Sequence, residues 1–323
     1  MKFLEGVLEK RGAKPRTKGL TLVVDRFEGL DKEEFSSLSE YVDVVKVRWG
    51  LPLLVDAELL KARIKFYHSR GVKVTTGGTL CELMLRTGNF KKFVTAAESA
   101  GFDMVELSDA TFPVGPQRFA RLGLEVETAG MGYYTKAGSK DPGHQPSPEQ
   151  LVRMVDRGLH IGSAAVVLEA GDGYGVGIHR LDGTVNMELA DQLALRFGPE
   201  RLIFESPLES QQAALIMHFG PDVNIGAVGI DQAASLESMR LGVRAGKTFG
   251  LRPGPRKVEG SPAAKFIYHI VSTEPLVDQG RLCLITGLPR RTVQMALEGL
   301  VRQGLVTASP SLDDTRRKVY RAI

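Results

Sequence analysis

The chain has 323 residues, 43% of them hydrophobic and 25% charged, with a formal net charge of +4. This composition excludes a disordered or low-complexity chain, and no apolar run approaches the roughly 20 residues that span a bilayer, so no membrane partner is expected. The length suits a barrel of about 250 residues with a small appendage.

In chain order, β-branched runs predict strands at 20–25 (LTLVVD), 43–48 (DVVKVR), 72–75, 103–107 (DMVEL), 123–127, 164–169 (AAVVLE), 201–205 (RLIFE) and 224–229. Amphipathic stretches at 56–69, 88–100, 148–158, 187–197 and 208–218 repeat apolar residues three and four apart and predict helices between them. Eight βα units favour an α/β fold of the closed (β/α)₈ barrel type, with an open doubly wound sheet as the alternative. No GxGxxG follows the first strand; the glycines between Gly171 and Gly177 come after a late one, which argues against a dinucleotide site. The connection from Thr128 to Pro146 reads as a long lid carrying Lys136, Lys140 and His144.

Residues 251–260 (LRPGPRKVEG) read as a linker. Beyond it, helices are predicted at 262–272, 277–286 and 289–303, followed by a two-stranded ribbon from LVTAS and RKVYRAI. This order resembles a winged helix-turn-helix, with Gly287 at the turn, Arg290, Arg291 and Thr292 opening the recognition helix, and Arg316, Arg317 and Lys318 on the wing. From Ser261 onward nine Lys/Arg face five Asp/Glu, so the whole net charge lies there and DNA is a possible partner. The charged N-terminal segment lacks the apolar core of a secretory signal, and a cytoplasmic location is expected. Cys81 and Cys283 stand too far apart to form a framework or a metal site.

Asp25, Glu106, Glu169, Glu205 and Asp231 lie at or just beyond strand ends, which a barrel gathers at one face. Three carboxylates around one pocket argue for a cation or for several basic partners, and Glu106, Glu169 and Glu205 are the candidate metal ligands. Lys46, inside the apolar run VVKVR, is a candidate for holding a substrate anion. Gly77, Gly78 and Thr79 open a helix whose free N–H groups suit an anion. Arg240 and Arg244 follow strand 8, where barrels often bind phosphate. Asp25 and Ser108 complete the rim. If Lys46 is a ligand, Lys46→Ala abolishes binding with little change in melting temperature.

The segments GLTLVVD, VVKVRWG, KVTTGGTLCE, VELSDA, VVLEA, IFESPLESQQ, DQAASLE and TFG resemble, in order and spacing over residues 19–251, those of the phosphosulfolactate synthase family. The resemblance implies a (β/α)₈ barrel that adds sulfite to phosphoenolpyruvate with Mg²⁺, an early step towards coenzyme M in archaea. A small anionic phospho- or sulfo-carboxylate substrate, a catalytic set of Lys46, Asp25, Glu82 and Ser108, and a homo-oligomer are expected. Against the family pattern, Glu-Val-Gly-Lys-Lys after strand 5 reads Thr128 to Gly132 here, a lost basic pair. Glu-x-Arg after strand 6 becomes Glu169-Ala170-Gly171, an Asn becomes Ala227, and Arg48 is a gained cation before Trp49. These departures leave three functions open: a divergent carbon–sulfur lyase, a transcriptional regulator whose disabled barrel senses a metabolite, and a structural or scaffold protein.

Overall fold

The computed structural model describes residues 11–249, 258–274, 276–310 and 317–322. Eight parallel strands form a closed barrel: β1 Thr21–Asp25, β2 Val44–Val47, β3 Lys73–Thr76, β4 Met104–Leu107, β5 Gly132–Ala137, β6 Val166–Leu168, β7 Leu202–Glu205 and β8 Ile225–Gly229, with β8 closing on β1. The helices between the strands cover the outer face of the sheet and side chains fill the interior, so both faces are buried and the strands read as continuous apolar runs.

Side chains alternate across the barrel wall. Leu22, Val44, Met104, Tyr134, Val167 and Ile203 share one cluster, in the barrel interior. Their neighbours Val23, Val45, Val105, Val166 and Phe204 pack in the larger cluster shared with the helices. Two residues further along the inward set stand Lys46, Glu106, Lys136, Glu169 and Glu205, all buried.

Seven of the eight predicted strands coincide with observed ones, and the fifth does not. Residues Pro116–Thr128 are a helix burying Phe119, Leu122, Gly123 and Val126. That spacing of three, one and three is helical, and Pro116 at the first turn favours a helix start. The strand is instead GYYTKA, inside the segment read as a lid. The connection after β5 therefore shrinks to residues 138–147. A longer one, residues 169–186, follows β6 and turns through Gly171, Gly173, Gly175, Gly177 and Gly183 in the left-handed region. Gln211 ties it down by donating to the carbonyls of Gly173 and Gly183.

Beyond residue 258, helices Pro262–Thr273, Gln279–Thr286 and Arg290–Arg302 pack around Ile267, Leu282, Val293, Leu297 and Leu300. With them lies an antiparallel sheet of β9 Val277–Asp278, β10 Val306–Pro310 and β11 Lys318–Ala322, in the order β10-β11-β9. Gly287 ends the second helix at φ +67°, as a turn there requires. Residues 251–257 of the expected linker and Arg316 lie outside the described residues. Among the described residues, no helix is long and apolar enough to cross a membrane.

Candidate active site

Five strands deliver five charged side chains to one point inside the barrel, towards its C-terminal end. The Lys46 ammonium on β2 lies 2.7 Å from Glu106 on β4 and 2.5 Å from Glu205 on β7. The Lys136 ammonium on β5 lies 2.8 Å from Glu169, just past β6, 3.0 Å from Glu205 and 3.6 Å from Glu106. Three carboxylates and two ammonium groups leave the cluster with one negative charge. Burial alone would depress the Lys136 ammonium, but Glu106, Glu205 and Glu169 outweigh it and hold it well above its ordinary value. Burial would likewise raise the carboxyls of Glu106 and Glu205, and the two lysines reverse this and hold both below the usual range.

Beside the cluster, Gly78 N–H, opening the helix Gly78–Arg86, donates to Glu106 at 2.9 Å. The helix N-terminus expected to receive a substrate anion thus serves a carboxylate of the protein itself; Thr79 is exposed one residue on. A second polar group sits at Glu82, which accepts from the hydroxyls of Ser108 and Thr111 and from Lys140 at 2.9 Å. Glu82 is held below the usual carboxylate range because Lys140 and the two hydroxyls overcome its burial. Arg48, past the end of β2, stacks on Trp49 with 4.7 Å between guanidinium and ring and lies 3.6 Å from the almost fully exposed Asp172.

Several expected site residues stand elsewhere. Asp25 belongs to the outward set on β1, so it faces helix Ala57–His68, where Tyr67 donates to it at 2.7 Å and Arg63 pairs at 2.8 Å. It is a barrel-to-helix tie and no part of the lysine cluster. Asp231, in the turn after β8, lines a separate cavity of about 300 Å³ with Asp25, Arg26 and Arg63. Arg240 lies at the opposite end of the barrel. Its guanidinium donates to the carbonyls of Pro221, Val223 and Leu20, just before β8 and β1, and burial lowers it to about 9. It is no ligand for a substrate at the C-terminal face. Arg244 donates to Ser235 and Glu209 on the helical layer. His144 pairs with Asp141 in solvent. In the C-terminal region Arg290, Arg291 and Lys318 are exposed, and Arg317 pairs with Asp278 at 2.7 Å.

The sequence suggests Lys136 as a lid residue that could fold back toward the substrate; it stands on β5 instead, and the alternation of Tyr134 and Lys136 is the signal that both face one side of a strand. One buried residue was missed. His179, in the loop after β6, is buried with Nε2 2.8 Å from the carbonyl of Glu205. Desolvation lowers its pKa, so the ring is neutral and donates through Nε2, leaving Nδ1 without a protein partner.

Residues 9–246 match the model of the (2R)-phospho-3-sulfolactate synthase family. The chain belongs to that family. It is 32% identical to the phosphosulfolactate synthase of Methanocaldococcus jannaschii, over 72% of this chain and 94% of the relative. It is equally 32% identical to that of Methanothermobacter thermautotrophicus, over 74% and 95%. Protein HEAT-STRESS-ASSOCIATED 32 of Arabidopsis thaliana is 26% identical over 72% of this chain and 89% of its own length. Thr128 to Gly132, read from the sequence as following strand 5, instead end the helix Pro116–Thr128 and lead into β5. Lys140 stands three residues past the end of β5.

The Mg²⁺ implied by the family resemblance meets a donor set that does not fit it as arranged. Each candidate ligand, Glu106, Glu169 and Glu205, already holds a lysine ammonium, and the described residues contain no group of three His, Cys, Asp or Glu placed to hold a metal.

Glycine geometry keeps Glu169 in place. A Cβ on Gly177, at φ +61°, would collide with the Glu169 carbonyl oxygen. Gly177→Ala is therefore expected to displace the loop 169–186, raising its amide hydrogen exchange while the remaining strands keep their protection.

Proposed function

We propose that the chain is a carbon–sulfur lyase of its family, joining sulfite or a related nucleophile to phosphoenolpyruvate or a similar phospho-carboxylate. The observation that carries this reading is the convergence of two buried lysines, from β2 and β5, at the C-terminal end of a barrel in this family. The residues supply cations of two kinds. Lys46 and Lys136 are held rigid by protein carboxylates, so any donor each keeps free meets charge that develops during reaction at a fixed position. Arg48 and Lys140 stand nearer solvent with single acidic partners, and suit the full charges that a substrate brings.

In the proposed reaction the sulfite sulfur forms a bond to the methylene carbon. The electron pair of the double bond moves toward the substrate carboxylate as an aci-carboxylate, which Lys46 is suited to stabilise. A proton then returns to the carbon bearing the phosphoester. Lys140 is the donor this reading assigns, with Glu82 and Ser108 as positioning residues that hold it. The test is incubation with sulfite and phosphoenolpyruvate, with and without Mg²⁺, and mass spectrometry for phosphosulfolactate. Product formation is expected; a folded protein that yields none from these substrates would remove phosphoenolpyruvate and sulfite as its reactants.

The exposed Arg290 and Arg291 at the start of their helix favour a second role, contact of the C-terminal region with DNA, whether or not the barrel turns over. Duplex binding that weakens steeply with added salt is expected from such contacts, and binding indifferent to Arg291→Ala would count against them.

A further inference from the structure

The centre of the carboxylate cluster holds an ammonium group. Lys136 lies 2.8 Å from Glu169, 3.0 Å from Glu205 and 3.6 Å from Glu106, so one ammonium meets carboxylates from three strand ends. Its side chain is only 6% exposed, and β5 aims it inward in register with Tyr134, so withdrawal would leave an unpaired buried charge. We infer that Lys136 is a built-in cation that takes the place of a divalent metal at Glu106, Glu169 and Glu205.

Charge supports the inference. Three carboxylates meet two ammonium groups here, and without Lys136 the single ammonium of Lys46 would leave the cluster two negative charges in excess. A single ammonium cannot polarise an oxygen as a Lewis acid does. What it supplies is fixed positive charge and hydrogen-bond donors.

The inference rests on the proposed reaction for the use of this charge, but its test involves no turnover, so the two fail separately. Mn²⁺ serves as the probe, titrated into the full chain and followed by electron paramagnetic resonance and calorimetry. The wild type is expected to show no saturable site. Lys136→Glu and the neutral Lys136→Met are each expected to gain a site for one equivalent, at least about tenfold tighter than any in the wild type. That site should vanish when Glu169→Gln is added, and Mn²⁺ should raise the melting temperature of the Lys136 variants alone. A wild-type site for one Mn²⁺ that Glu169→Gln abolishes would overturn the inference. So would folded Lys136 variants that bind no Mn²⁺, because the cluster would then not be a cation site. If Lys136→Glu fails to fold, Lys136→Met carries the comparison.

Discussion

Lys136→Met is expected to destabilise the protein by about 3–5 kcal/mol at neutral pH, because it leaves buried carboxylates short of one partner. In the variant the single ammonium of Lys46 would face Glu106, Glu169 and Glu205, all almost wholly buried. The pH dependence follows from the direction of each shift. Glu106 and Glu205 titrate below their ordinary range in the folded protein, so their contribution is present above the unfolded value of about 4.3 and is lost as pH falls through the folded values. Lys136 titrates above its ordinary range, so its contribution is complete below about 10.4 and is lost as pH rises through the folded value. The wild type should therefore hold a plateau between these limits. In the variant a carboxylate can take up a proton instead, so the deficit should narrow as pH drops below neutral. Urea midpoints from pH 4 to pH 8, roughly the span in which these carboxylates exchange protons, measure both effects. A deficit under about 1 kcal/mol at pH 7, the range of an exposed pair, would show that the cluster is more hydrated than its burial implies.

Lys46→Met is expected to reduce turnover of the proposed reaction by about 10²–10³-fold, the range seen when one preorganised donor to developing charge is removed. The loss should fall on kcat, since Arg48 and Lys140 remain to hold the ground-state anions. The structure also revises what the sequence led one to expect of this residue. A lysine that bridges Glu106 and Glu205 at 2.7 and 2.5 Å cannot be removed silently, and stability should drop by about as much as for Lys136. Turnover must therefore be measured well below the unfolding midpoint, with circular dichroism on the same sample. A folded Lys46→Met protein with wild-type kcat would remove Lys46 from the chemistry.

The strand ends show how far the sequence could be read. Glu106, Glu169 and Glu205 were visible as carboxylates closing apolar runs, and the barrel brings them together. Lys46 was visible as a charge within an apolar run. Asp25 had the same appearance in the sequence and faces the other way. Period-2 alternation identifies which residues share a face of a strand; which face looks inward depends on pairing with the neighbouring strands. Arg240, read as a phosphate ligand from its place after strand 8, supports the opposite end of the barrel because its helix has by then returned there.

The sequence by itself determined the alternation of strand and helix, favoured the closed barrel, carried the family resemblance, and marked three of the carboxylates and one of the lysines at the centre. These follow from hydrophobic periodicity and from short segments in a fixed order, both local properties of the chain. Only the tertiary structure decided that LEVET belongs to a helix and GYYTKA to β5. It thereby moved Lys136 from a surface lid to the middle of three buried carboxylates. Short runs with mixed β-branched and polar residues satisfy helix and strand patterns alike, and the choice is made by which face finds a buried partner.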